Sequence, residues 1–222
     1  MTSLAQIQRR VGVTPDGKWG PNTAAAIAKA LGMDDAFDTA VFLEAVKASV
    51  FGGSLSTAQR EGLERILAAL AGLPIAHAAY ALATAAWETN KTMQPVREAY
   101  WLSEGWRQKN LRYFPHYGRG YVQITWPANY AKADEKLGLG GALVADLDMA
   151  LRPDIAAAIM RAGMVEGWFT GKKLADYLPA AGQATAAQFA AARRIINGND
   201  KAAQIAALAV LFQNALLVGG WA

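Results

Sequence analysis

From Ile75 to Thr89 the chain is apolar on nearly every side of the helix it would form: Ile-Ala-His-Ala-Ala-Tyr-Ala-Leu-Ala-Thr-Ala-Ala-Trp-Glu-Thr. A helix without a polar stripe has its place inside a fold, with other elements packed around it. The run therefore predicts a central rod, and within it His77 as a hydrogen-bonded core histidine. It ends on Trp87 and Glu88, placing a carboxylate at a helix C-terminus. Burial and the negative end of the helix dipole both disfavour the ionised form there. A carboxyl group that keeps its proton near neutral pH is what general-acid catalysis requires. A surface carboxylate at a frayed helix end is the plain alternative.

The flanking patterns supply the surrounding elements. Phe37 to Val50 reads as an amphipathic helix; Ser56-Thr57-Ala58-Gln59 opens another with a capping-type start, running to Ala71 before the stop at Gly72-Leu73-Pro74. Further helices are predicted near 127–137, 153–168, 172–178, 185–196 and 200–217. Residues 90–116 show little regular pattern and many aromatics. The apolar run Ile205 to Val218 is interrupted by Gln213 and Asn214 and is shorter than the ~20 residues of a membrane span. It predicts a buried final helix and no stable membrane insertion. With hydrophobic residues at 53% and Ala very frequent, the composition agrees with a mostly α-helical fold.

A division is expected near residues 34–40, giving a small helical module over 1–35 and a larger domain over 36–222. In the first, Asp16-Gly17 followed by Gly20-Pro21-Asn22-Thr23 predicts a turn and then an Ala-rich helix over 22–31, capped by Asn22 or Thr23. Asp34-Asp35-Ala36-Phe37-Asp38 reads as an acidic linker or helix cap. The start from Met1 to Arg10 is polar and lacks the apolar stretch of a secretory signal.

The second chemical feature is Tyr117-Gly118-Arg119-Gly120-Tyr121-Val122-Gln123-Ile124-Thr125-Trp126. Alternation from Tyr121 onward predicts a short strand with Val122, Ile124 and Trp126 on one face and Tyr121, Gln123 and Thr125 on the other. The second face suits hydrogen bonding to hydroxyls and N-acetyl groups. The surrounding aromatics, from Tyr100 to Tyr130, suit the apolar faces of sugar rings. Tyr117 and Tyr121 are expected in the cleft, His116 at most at its rim, and Trp101, Trp106 and Trp126 in the core. The absence of cysteine removes disulfides, thiolate zinc sites and a cysteine nucleophile, and two histidines are too few for a zinc amidase. The net charge of +4 favours approach to an anionic polymer, yet no run of Lys and Arg marks a nucleic-acid face; Arg193-Arg194 is the longest basic step near the expected site.

These residues carry a resemblance. Tyr-Gly-Arg-Gly followed by Gln123, Thr125 and Asn129 is similar to the substrate-cleft strand of the family-19 chitinases and of the phage endolysins related to them. Glu88-Thr89 resembles the step that provides their general acid, and Asn197-Gly198 a third cleft segment, so the similarity spans roughly 50–215. The missing disulfides and compact 90–115 region favour the bacteriolytic branch. The N-terminal module resembles a shortened peptidoglycan-binding domain, with Trp19 and the Asp16-Gly17 turn as its anchors or Trp19 as its small core.

The resemblance implies a lysozyme-like α+β catalytic domain with a small β-hairpin lobe. It would hydrolyse the β-1,4 glycosidic bonds of peptidoglycan by inversion, without cofactor or metal. Glycoside cleavage of this type uses two carboxyl groups. Glu88 would be the acid and Glu98 would activate water with help from Thr125. Glu104 is the rival for the second role, and the loser would pair with Arg97 or Arg107. Tyr117, Arg119, Tyr121, Gln123, Asn129 and Asn197 would bind the glycan strand. The enzyme would be a monomer, bind no nucleic acid, and stay in the host cytoplasm until a holin pore releases it to the cell wall. A chitinase on the same fold and a catalytically inactive wall-binding protein are the alternatives.

Overall fold

A computed structural model describes residues 2–31 and 37–221. The chain is mostly helical. Its helices are α1 (Leu4–Arg10), α2 (Pro21–Ala30), α3 (Thr39–Ser49), α4 (Thr57–Leu70), α5 (Ile75–Glu88), α6 (Glu104–Asn110), α7 (Pro127–Lys136), α8 (Ala142–Ala145), α9 (Pro153–Glu166), α10 (Ala186–Ala192) and α11 (Ala202–Val218). Two short strands, β1 (Val96–Arg97) and β2 (Arg119–Gly120), pair antiparallel with Val96 opposite Gly120 and Arg97 opposite Arg119.

The apolar rod lies where its composition requires. Every residue of α5 from Ile75 to Ala86 is buried. The helix α11 packs along it, flanked by α3 and α10, while α4 and α9 pack together on another side. His77 is buried and its Nε2 lies 3.3 Å from the Leu178 carbonyl, the satisfied core histidine expected of it. Gln213, the polar break in the last apolar run, is also buried: its Oε1 accepts from the Ala184 N–H at 2.8 Å and its Nε2 donates to the Ala184 carbonyl at 3.1 Å. One amide side chain thus ties the loop before α10 to α11. No helix among the described residues is long and apolar enough to cross a membrane.

Local signals place most helix ends. Ser56 and Gln59 form the reciprocal capping box that opens α4, and Asp38 caps α3. Elsewhere the reading needs correction. The helix expected over 172–178 is a 3₁₀ turn at Leu174–Asp176, and the aromatic 90–116 segment contains α6, capped by Ser103. The N-cap of α2 is Gly20 rather than Asn22 or Thr23. Thr23 instead accepts from Gln8 Nε2, which also reaches Asp16 and the Lys18 carbonyl, while the Gly17 N–H donates back to Gln8 Oε1 at 2.8 Å. The Asp16-Gly17 turn is therefore tied to α1 by one buried amide. Trp19 is 67% exposed and so is not the core of this module. Helix α2 packs on α11, and Asn22 accepts a hydrogen bond from Gln183. Asp34, Asp35 and Ala36, read as the linker, lie outside the described residues.

The strand expected from Tyr121 to Trp126 does not form. After β2 the chain turns through Tyr121–Gln123 and comes back on itself, so that Ile124 exchanges hydrogen bonds with Arg119 at 3.0 and 3.2 Å. Gly120 makes this possible: its φ is +84°, and a Cβ there would sit 2.9 Å from the Ala150 carbonyl oxygen. Gln123 and Trp126 also adopt left-handed backbone, at φ 55° and 77°. Alternation consequently fails, and Tyr121, Val122 and Ile124 are all buried.

Candidate active site

The end of α5, the β1 segment, the turn after β2 and the loop after α10 surround a cleft of about 920 Å³. Glu88, Glu98, Gln123, Thr125, Asn129 and Asn197 all line it. Residues far apart in sequence are thereby brought to one place. Aromatic walls come from Trp87, Tyr100, Trp101, Tyr113 and Trp126.

Glu88 projects from the last residue of α5 with 17% of its side chain exposed. Thr89 closes the helix: its Oγ1 donates to the Ala85 carbonyl at 2.7 Å and accepts the Met93 N–H at 3.2 Å. The buried Arg193 donates to Glu88 Oε1 at 2.8 Å. Burial pushes the Glu88 carboxyl up, the Arg193 cation pulls it down, and burial prevails, leaving it above the usual carboxylate range. Arg193 arrives from the 3₁₀ turn after α10 and is held by its own bond to the Asp200 carbonyl at 3.0 Å. The sequence offered only a weak pointer to this partner, the Arg193-Arg194 step.

Glu98 follows β1 and is fixed at both oxygens. Oε1 accepts from the Tyr113 hydroxyl at 2.7 Å, and Oε2 accepts from the Gly118 N–H at 2.9 Å. Burial, then the bond to Glu98, push the Tyr113 phenol up to about 12, so it remains a donor. Gly118 is required by close approach: a Cβ there would lie 2.8 Å from Gln123 Oε1 and 3.2 Å from Glu98 Oε2. The first glycine of Tyr-Gly-Arg-Gly thus admits the second carboxylate, and the next allows the turn.

The polar side chains of that turn are mostly committed to backbone. Gln123 Nε2 donates to the Val96 and Gly120 carbonyls, both at 3.0 Å; Thr125 Oγ1 donates to the Gln123 carbonyl at 2.8 Å; Asn129 Nδ2 donates to the Thr125 carbonyl at 2.8 Å. These bonds brace the cleft wall that the three residues line.

Four sequence expectations fall elsewhere. Glu104, Tyr117 and Arg119 line a separate pocket of about 670 Å³ with Arg97, Arg107 and Asp148. There the Arg119 guanidinium lies 3.8 Å from the Tyr117 ring centroid and its Nε donates to Asp148 at 2.8 Å, which makes it a buried tie for the hairpin. Glu104 accepts from the Tyr117 hydroxyl at 3.0 Å and pairs with Arg107 at 3.4 Å. Tyr121 is fully buried, its hydroxyl has no partner among the described residues, and burial pushes that phenol up to about 12. The tryptophans err the other way. Trp101, Trp106 and Trp126 are 70%, 38% and 43% exposed, and Trp101 and Trp126 line the cleft.

Backbone strain is concentrated here as well. Asn90, Ala99, Gln123 and Trp126 are non-glycine residues with positive φ, and all four line the cleft. Such states persist where the surrounding structure enforces them, commonly at ligand sites. Among the described residues no group of three or more His, Asp or Glu is placed to hold a metal ion.

Comparisons of the chain with protein-family models, with curated proteins and with solved structures find no match.

Proposed function

We propose that the chain is a glycoside hydrolase of bacterial peptidoglycan, built as a lysozyme-like catalytic domain with a short wall-binding module at its N-terminus. The observation that carries this reading is the pair Glu88 and Glu98 on one aromatic-walled cleft, in unlike environments. Glycoside hydrolysis needs one carboxyl that arrives protonated and one that takes a proton from water or attacks the sugar. Glu88, kept above the usual carboxylate range, protonates the leaving glycosidic oxygen. Glu98, steadied by Tyr113 and Gly118, accepts the proton of the attacking water beside Thr125, and the anomeric carbon inverts. Asn129 and Asn197 meet hydroxyl and N-acetyl groups, while Trp101 and Trp126 offer flat surfaces to the ring faces.

The test is hydrolysis of purified sacculi, with products identified by mass spectrometry and their anomeric form followed by NMR. Glu88→Gln and Glu98→Gln are each expected to lower turnover by about 10²–10⁴ while folding is retained. Glu104→Gln should cost far less. If Glu88→Gln kept more than a tenth of normal activity, the acid would be elsewhere. Cleavage of chitin oligomers without cleavage of sacculi would identify a chitinase, and binding without any release of fragments would identify an inactive wall-binding protein.

A further inference from the structure

Among the described residues Arg97, Arg112 and Arg193 line the cleft, and their situations differ. Arg193 is paired with Glu88 and Arg97 with Asp148. Arg112 is exposed, and among the described residues it has no carboxylate within ion-pair distance. Its guanidinium lies over the Trp126 ring, 5.2 Å from the centroid. Trp126 is itself held outward: its backbone is left-handed, its N–H donates to the His116 carbonyl at 3.0 Å, and the Tyr113 ring meets it edge-on at 5.1 Å. The same Tyr113 donates its hydroxyl to Glu98. The chain of contacts Arg112, Trp126, Tyr113, Glu98 therefore joins an available cation to the second carboxylate of the site.

A guanidinium resting on an aromatic face is weakly hydrated and oriented, and its in-plane N–H groups match a carboxylate in two-point fashion. We infer that Arg112, seated on Trp126, binds a carboxylate carried by the glycan and so selects an acidic polymer over a neutral one. The inference rests on the hydrolase reading above and names its substrate class. Every second sugar of peptidoglycan bears a lactyl ether whose carboxyl group is either free or extended by a peptide with carboxylates of its own. Chitin offers only hydroxyl and N-acetyl groups. The Arg112 cation has a use on the first polymer and none on the second.

The experiment measures binding by calorimetry to the Glu88→Gln protein, so that ligands are held without being cut. Four ligands of equal sugar number are compared: peptide-free oligomers of alternating N-acetylglucosamine and N-acetylmuramic acid, the same oligomers with the lactyl carboxyl amidated, peptide-bearing strands, and chitin oligomers. At low salt at least one carboxylate-bearing ligand should bind about five- to tenfold more tightly than the amidated and chitin ligands, a span set by charged hydrogen bonds at a half-exposed site. Adding salt should narrow that gap. Arg112→Gln should bring the ratio to about one, and Arg112→Lys should keep part of it. A gap for the peptide-bearing strands alone would place the carboxylate in the peptide, and a gap for the free acid would place it on the lactyl group. Equal affinity for charged and neutral ligands in the parent protein, or a gap that survives Arg112→Gln, overturns the inference. Failure of the unmutated protein to cut any glycan would overturn the hydrolase reading and leave this measurement standing.

Discussion

Glu88 is pulled in two directions, and the balance can be tested at the level of one residue. Burial raises its carboxyl and Arg193 lowers it. On the hydrolase reading proposed above, Glu88 is a general acid that works only while protonated, so the rate on soluble glycan fragments should fall as pH rises through the Glu88 value. Arg193→Gln removes the lowering influence, and the alkaline limb of the pH profile of kcat/KM should move to higher pH. A limb that stays in place or moves down would remove Arg193 from control of the acid. The stability sign follows the same shift. Because the folded carboxyl binds its proton more tightly than the unfolded one, the stabilisation is fully present below the ordinary carboxylate range and is lost as pH rises through the raised value. Glu88 stood out in the sequence as a carboxylate ending an apolar helix, whereas Glu98 was singled out only by the resemblance of its Arg-Glu step, and the fold brings both to one cleft. Tyr121 and Trp126 were misplaced because an aromatic ring fits a core and a sugar surface equally well.

At the level of elements, α4 offers the sharpest case of packing against propensity. Gly62 lies inside this helix, where alanine is normally favoured by about 1 kcal/mol. A Cβ at Gly62 would stand 1.8 Å from the Met93 carbonyl oxygen and 2.8 Å from Gln94 Nε2. Gly62→Ala is therefore expected to destabilise, by roughly 1–3 kcal/mol through forced displacement of the segment leading to β1. Thermal unfolding of the variant measures it, and a higher melting temperature would mean that the 93–94 segment yields easily. The helix ends were readable because caps act within four residues, as at Ser56. The turn after β2 was not, since its cause lies at a distance: Gly120 is pressed against the Ala150 carbonyl, a contact no alternation pattern contains.

At the scale of the molecule, the N-terminal module leans on the large domain through α2 against α11 and through Asn22 and Gln183. Phe37 belongs to the larger part, packing edge-on against Trp221 at 5.0 Å, and the Asp38 N–H donates to the Gly219 carbonyl. A chain beginning at Phe37 should therefore fold with a somewhat lower melting temperature; on the hydrolase reading proposed above it should also act on small soluble glycans as the whole chain does and bind sacculi less tightly, because tethering raises the local concentration of an insoluble substrate. Sacculus pull-down of both lengths checks it; equal binding would make the module a structural cap. By itself the sequence determined the helical class, the buried rod of α5 and the final buried helix, since apolar periodicity and caps are local properties. Only the tertiary structure decided which aromatics face the cleft, that Arg119 ties Asp148, and that Arg193 meets Glu88 from 105 residues away. Exposure and ion pairing are set by whatever the fold packs against a side chain, and that neighbour is written elsewhere in the chain.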